Sequence, residues 1–270
     1  MSNTDKVFTG SIPKLYDTYL VPLIFEPYAT DLANRLASRS VTRVLEVAAG
    51  TGVVTRALAT ALPDKVSIVA TDLNQAMLDQ ASAVGTKRAV EWRQADAMQL
   101  PFPDGTFDAV VCQFGVMFFP DKSKAFSQAR RVLRPGGVFI FNVWDRIEEN
   151  EFADTVTTAL ASVFPKDPPR FMARTPHGYH DRRTVERDLV SGGFIAPPGI
   201  DTVAARSRAA SARIPAIAYC QGTPLRNEIE TRDASRLGEA TDIAADAIAK
   251  RFGPGAVDGK IQAHIVTIEG

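Results

Sequence analysis

Acidic side chains at Glu46, Asp72 and Asp96 each stand within or just past a short apolar run, and two histidines, His177 and His180, share the stretch "TPHGYHD". The stretch "VLEVAAGTGVVTRAL" (44–58) holds the first of the acids. It opens as an apolar run, closes with helical spacing, and passes between the two through Glu46, Ala48, Ala49, Gly50 and Gly52. Small residues let backbone N–H groups come close to a ligand, and glycine tolerates a sharp turn. Asp72 follows Gly52 by about 20 residues, the distance at which an acid ending a second strand bonds ribose hydroxyls. Asp96 ends "AVEWRQAD" (89–96), read as a third strand. A glycine turn, or one aspartate at a strand end, is also ordinary turn chemistry. Two aspartates on adjacent strands beside a glycine loop point instead to a nucleoside lying across one sheet edge.

Glu46 is ill suited to a pyrophosphate. It suits a ligand with positive charge, or a network of backbone N–H groups holding the loop. Gly50-Thr51-Gly52-Val53-Val54-Thr55 lacks the third glycine of a dinucleotide fingerprint, and there is no Gly-Lys-Ser/Thr of a P-loop. His177 and His180 are candidates for a general base, with solvated loop histidines as the alternative. His264 falls in a closing strand and reads as structural.

These residues need elements to hold them. Apolar, β-branched runs predict strands over 41–48, 66–73, 89–96, 107–115 and 138–145. Helical spacing predicts helices over 53–62, 74–84 with Asn74 as N-cap, and 121–134 stopped by Pro135-Gly136-Gly137. Strands alternating with helices make βαβ units and a parallel sheet covered on both faces. Runs such as "DAVVCQF" are apolar at nearly every position, as strands buried on both sides require. Residues 1–40 read as mostly helical. Beyond Trp144 the spacing predicts helices over 151–163, 181–194, 214–229 and 233–253, and strands over 200–208 and 260–269.

Composition sets the outer bounds. The 270 residues are 45% hydrophobic and 23% charged, with 31 basic and 31 acidic side chains, so no excess of positive charge argues for a nucleic-acid partner. The two cysteines, Cys112 and Cys220, are far apart, and no metal-ligand spacing is present. No apolar run is long enough to span a membrane, and "MSNTDKVFTGS" has no signal-peptide core; a cytoplasmic protein is expected. No motif speaks to oligomeric state.

Four segments in order, "VLEVAAGTG", "ATDLNQAML", "QADAMQLPFPDGTFDAVVCQFGVMFF" and "ARRVLRPGGVFIFNVWD", resemble the successive motifs of the class I S-adenosylmethionine-dependent methyltransferases. The likeness is greatest to the small-molecule branch that includes the ubiquinone and menaquinone biosynthesis C-methyltransferases, and it covers roughly residues 10–145. One position departs from the branch pattern: Ala48 replaces the first glycine. The resemblance implies an α/β, Rossmann-like, doubly wound and mostly parallel seven-stranded sheet with helices on both faces and a helical cover. It implies an N-terminal lid (1–40), a cofactor-binding core (41–145) and a C-terminal part (146–270) that completes the sheet and carries substrate-cover segments.

The same resemblance implies S-adenosyl-L-methionine as cofactor and a small-molecule methyl acceptor. Ala48, Gly50 and Gly52 would pass beneath the methionine part, and Glu46 would face its amino end. Asp72 would bond the ribose, Leu73 and Met77 would flank the adenine, and Asp96 with the Ala97 backbone would read the adenine amino edge. Gln113 and Phe114 would contact the methionine portion, and Tyr16 and Tyr19 would belong to the lid. A non-catalytic S-adenosylmethionine-binding protein and, with the third glycine missing, a nicotinamide-dependent oxidoreductase stand as alternatives.

Overall fold

The computed structural model describes Asp5, Phe8 and residues 10–270; the remaining residues of the expected lid, and most of the stretch searched for a signal peptide, lie outside the described residues. In chain order the elements are α1 (Ile12–Leu15), a π-wound stretch (Tyr16–Phe25), α2 (Glu26–Ala37), β1 (Arg43–Val47), α3 (Val53–Ala61), β2 (Ser67–Asp72), α4 (Gln75–Val84), β3 (Glu91–Gln94), β4 (Phe107–Gln113), α5 (Lys122–Val132) and β5 (Leu133–Trp144). There follow α6 (Glu151–Val163), α7 (Phe171–Arg174), α8 (Arg182–Ser191), β6 (Gly199–Ala209), α9 (Arg213–Gln221), α10 (Leu225–Asp233), α11 (Leu237–Phe252) and β7 (Val257–Glu269). The strands form one mixed seven-stranded sheet in the order β3-β2-β1-β4-β5-β7-β6.

β1 through β5 run parallel, with Val44 opposite Ile68 on one side and Ala109 on the other. Val44, Leu45, Ala109, Val110 and Val111 are fully buried, which is why these strands read as continuous apolar runs. β1 lies between β2 and β4, where the strand order reverses. In open α/β sheets that crevice, at the carboxyl ends of the strands, is where ligands bind.

Two compact units divide the contacts. One holds Glu26–Val143, Tyr179–Val203 and Ala263–Gly270. Its rings Phe126, Phe139, Phe141 and Phe194 cluster together, with Phe139 and Phe141 centred 4.7 Å apart. The other holds the described residues up to Phe25 together with Trp144–Gly178 and Ala204–Gln262. There α11 packs on α6 and α9, and the Phe152 ring meets Phe252 edge-on at 4.9 Å.

Three elements differ from the sequence expectation. β5 begins at Leu133 rather than 138, so Pro135-Gly136-Gly137 lies inside the strand. Phe107 pairs with Leu133, and Ala109 already pairs with Val138, so the chain bulges outward between them. Pro135 has no N–H to give the ladder, and Gly136 takes φ +75°, which fits a bulge. The single helix expected over 214–229 is two, α9 and α10, broken at Gly222–Pro224. The Thr223 hydroxyl donates to Tyr219 O and accepts from Leu225 N across the break. Residues Tyr16–Phe25 wind as a π-helix with Pro22 inside. Proline cannot supply the N–H of a regular helical turn.

At the amino ends of the strands, Asp108 ties three segments together. Its Oδ2 accepts from Thr42 N, Thr42 Oγ1 and Arg43 N at 2.7–2.8 Å, and its Oδ1 accepts from Arg134 Nη1 at 2.7 Å. Burial alone would raise its pKa, but these donors outweigh it and hold the carboxyl down at about 2. A depressed folded-state value stabilises the fold above the unfolded pKa of about 4, and that contribution is lost as pH falls toward 2. Asp108→Asn should cost about 1–2 kcal/mol at pH 7. In urea titrations the gap from the wild type should narrow below pH 4 and close near pH 2.

Candidate active site

The loop after β1 is built from left-handed backbone. Ala48 takes φ +56°, Gly50 +56° and Gly52 +83°. For alanine this conformation costs roughly 1 kcal/mol, which glycine would not incur. Glycine at 115, after β4, makes room for the Ala48 methyl. A Cβ on Gly115 would stand 2.5 Å from Ala48 Cβ and 2.7 Å from Cys112 Sγ, so the two small residues interlock. At Gly52 a Cβ would meet the Trp92 ring at 2.9 Å, which closes that side of the loop to any larger residue.

The loop is clasped from β2. Thr71 O accepts from Ala49 N at 2.9 Å, and the Thr71 hydroxyl donates to Glu46 O. Asp72 Oδ2 accepts from Gly50 N at 2.9 Å, and its Oδ1 accepts from Asn74 N at 2.8 Å. Asp72 is buried, and burial raises its pKa against the pull of those N–H groups. Asn74 occupies the N-cap position of α4 as expected, but its side chain makes no capping bond.

Glu46, in β1 just ahead of the loop, is 1% exposed. The Thr55 hydroxyl on α3 donates to its Oε2 at 2.5 Å. Thr55 was not anticipated from sequence; its only signal is that it faces inward on α3, nine residues after Glu46. Thr51, between the two glycines, is buried with its hydroxyl unpartnered.

The remaining candidates follow along the same edge. Leu73, just past β2, is 46% exposed, an uncommon place for a large apolar side chain. Met77 is buried, its Cε beneath Gly50. Asp96 and Ala97 are half-buried, and Asp96 Oδ1 accepts from Met98 N at 2.8 Å. Gln113 and Phe114 end β4, and both are buried. Phe114 has φ +49°, and its N–H donates to Asn142 Oδ1 on β5 at 2.8 Å. The Tyr28 ring meets Phe114 edge-on at 5.3 Å. Asn142 was missed by sequence reasoning, although a lone amide in "FIFNVW" was its visible signal.

β3, β2, β1 and β4 are consecutive neighbours in the sheet. Their carboxyl ends therefore carry, side by side, Asp96 and Ala97, Asp72 and Leu73, the 48–52 loop, and Gln113 and Phe114.

The other candidates lie elsewhere. Tyr16 stacks on Phe25 at 5.1 Å and meets Phe8 edge-on, and Tyr19 is half-buried. His177 is buried, its Nδ1 2.9 Å from Asp145 O and its ring 5.9 Å from Trp144. Tyr16, Tyr19 and His177 belong to the unit that holds α6, α9 and α11. His180 belongs to the other unit and is half-buried. His264 meets the Thr202 hydroxyl at 2.9 Å. Among the described residues, no helix is long and apolar enough to cross a membrane.

Residues 45–141 match the family model described as a methyltransferase domain. The chain is 30% identical over 165 residues to the ubiquinone/menaquinone biosynthesis C-methyltransferase of Teredinibacter turnerae, a stretch of 56% of this chain and 66% of that one. The protein of the same name from Pseudomonas aeruginosa is 30% identical over 169 residues, 58% and 66% of the respective chains. The chain thus spans just under two thirds of the length of these relatives. Among solved structures it is similar to a Bacillus halodurans protein (TM-score 0.57, 19% identity, 89% of this chain and 97% of that one). It is also similar to a Haemonchus contortus phosphoethanolamine N-methyltransferase (TM-score 0.58, 16% identity, 95% and 57%). A third, the [4+2]-cyclase SpnF (TM-score 0.53, 16% identity, 90% and 80%), has the same fold under a different reaction name.

The interlock of Ala48 and Gly115 generates a test. Gly115→Ala should destabilise the protein by about 1–3 kcal/mol through overpacking. Adding Ala48→Gly should recover part of this loss, because it removes one of the two clashes and the strained alanine. Urea unfolding of the single and double variants would measure both effects.

Proposed function

We propose, from the premise that the chain belongs to the class I S-adenosylmethionine-dependent methyltransferases, that it transfers the methyl group of S-adenosyl-L-methionine to a small-molecule acceptor. The observation that carries this reading is the unbroken row of candidate groups along the carboxyl ends of β3, β2, β1 and β4. The adenine end falls to Asp96, Ala97, Leu73 and Met77, and the ribose to Asp72. Ala48, Gly50, Gly52, Gln113 and Phe114 take the methionine part, with Glu46 toward its amino group. The exposed Leu73 beside the buried Asp72 supports this order, since an apolar base next to a polar sugar is what such a pair would meet. Asp72 Oδ2 accepts one N–H, from Gly50, which leaves it a lone pair for a ribose hydroxyl, while Oδ1 takes Asn74 N and, at 3.5 Å, the Asn74 side-chain amide.

The transfer is an in-line displacement at a sulfonium, and positive charge disappears as the new bond forms. Such a step gains from alignment and from exclusion of water. The acceptor's nucleophile is oxygen, nitrogen or carbon. His177 and His180 are proposed as its bases, and Tyr16 and Tyr19, in line with the family resemblance, as lid residues. The name of the ubiquinone/menaquinone biosynthesis C-methyltransferases makes intermediates of quinone biosynthesis the first acceptors to try.

Incubating the protein with S-adenosylmethionine and a panel of acceptors, and measuring S-adenosylhomocysteine, tests the activity. Release that depends on acceptor supports it; tight donor binding with no turnover across the panel would favour a binding protein. Asp72→Asn should weaken donor binding about tenfold or more, the loss of charge-assisted bonds worth about 1.4 kcal/mol or above. Unchanged affinity by calorimetry in a folded variant would remove the ribose assignment.

A further inference from the structure

Glu46 is a carboxyl with very little holding it as an anion. It is 1% exposed, and among the described residues the only hydrogen bond the carboxyl receives is from the Thr55 hydroxyl to Oε2. Its Oε1 accepts from no described residue. No ion pair reaches it from a Lys or Arg among the described residues. The charged and titratable groups around it are few. From α3 comes Arg56, whose Nη1 donates to Thr51 O. From β2 comes Asp72, a like charge, and from β4 comes the Cys112 thiol, kept neutral by burial. Asp72 contrasts with Glu46: both of its oxygens accept backbone N–H groups. An isolated buried carboxylate is costly unless a cation or several donors compensate it.

We propose that the site exchanges a proton for the cofactor's positive charge: Glu46 is protonated in the empty protein and releases its proton to solvent when the α-ammonium of the methyl donor arrives. This rests on the cofactor assignment above and adds to it a thermodynamic linkage and a basis for selection. A ligand with an ammonium over the loop replaces the proton. A ligand with only adenine and ribose leaves it in place.

The energetics run in the same direction. Desolvation pushes the Glu46 carboxyl up to about 8, Asp72 adds to the rise, and Thr55 and Arg56 oppose it. At pH 6–7 the empty site is therefore mostly protonated. An ammonium at hydrogen-bond distance favours the ionised form by the reverse of the same argument. Each donor molecule bound then frees close to one proton, and the binding constant rises up to tenfold per pH unit until about pH 8. Above that the donor's own α-amino group, with an ordinary pKa near 8, begins to lose its proton, and the gain levels off. The empty protein carries the matching signature. A folded-state pKa above the unfolded value near 4.3 contributes stability below that value, and the contribution is lost as pH rises through 8.

Calorimetric titration at pH 6, 7 and 8, each in two buffers of different ionisation enthalpy, counts the protons. With S-adenosylmethionine the wild type should release close to one proton at pH 6 and 7 and bind more tightly with each step upward. With 5′-methylthioadenosine, which lacks the ammonium, it should release none and bind equally at all three. Glu46→Gln should bind S-adenosylmethionine without proton release. Thr55→Val keeps the carboxyl but removes its one donor, and should move the rise in affinity to higher pH. Donor binding that is flat with pH and releases no proton would overturn the exchange while leaving the cofactor assignment intact. Undiminished proton release in Glu46→Gln would overturn it too. Failure of the wild type to bind either ligand at any pH would overturn the cofactor assignment, and the exchange with it.

Discussion

The hydrogen bond from Gly50 N–H to Asp72 Oδ2 is the contact on which the site depends. It joins the loop leaving β1 to the end of β2, and it requires the loop backbone to turn its N–H groups toward the neighbouring strand. Left-handed residues at 48, 50 and 52 make that turn. Room for it comes from the absence of side chains at Gly115 on one flank and Gly52 on the other, where Cys112 with Ala48 and the Trp92 ring already fill the space. A loop fixed in this way presents backbone rather than side chains to the crevice, and backbone can come within contact distance of a ligand at little steric cost.

Two acids at this edge are held in different ways. Asp72 is surrounded by N–H donors and serves as both clasp and acceptor. Glu46, within β1, has among the described residues a single hydroxyl for company. Burial acts on both in the same direction. The difference lies in which neutral or charged groups compensate it, and that suits Asp72 to sugar hydroxyls and Glu46 to a cation. The opposite edge shows the third possibility: Asp108, ringed by donors and the Arg134 guanidinium, stays ionised and ties strands together instead of binding anything.

Much of the sheet was legible because burial on both faces leaves a plain mark. Strands such as Phe107–Gln113 must be apolar throughout, and helices between them must be apolar on one side, so period and composition agree. Elements away from that sheet were read less well. Pro135-Gly136-Gly137 looked like the stop between a helix and a strand, yet the chain pairs from Leu133 and bulges past it, because the partner β4 continues to Phe107. The break at Gly222–Pro224 was equally visible as residue types, but helical spacing runs across it on both sides.

For the site, the sequence by itself determined which residues are small, which are acidic and at what spacing they recur. That was enough to propose a nucleoside-bearing cofactor at the ends of the first strands, because chain connectivity between parallel strands brings successive carboxyl ends to one edge. Only the tertiary structure decided how those groups are satisfied. Thr55 reaches Glu46 from α3, Asn142 receives the Phe114 N–H from β5, and Gly115 yields to the methyl of Ala48. Each of these partners is separated in sequence from the residue it serves. Their pairing comes from side-chain direction and close approach across the sheet, which no local pattern encodes. The protonation of a buried carboxyl follows from the same source, since the number of donors around it is a property of the packed structure.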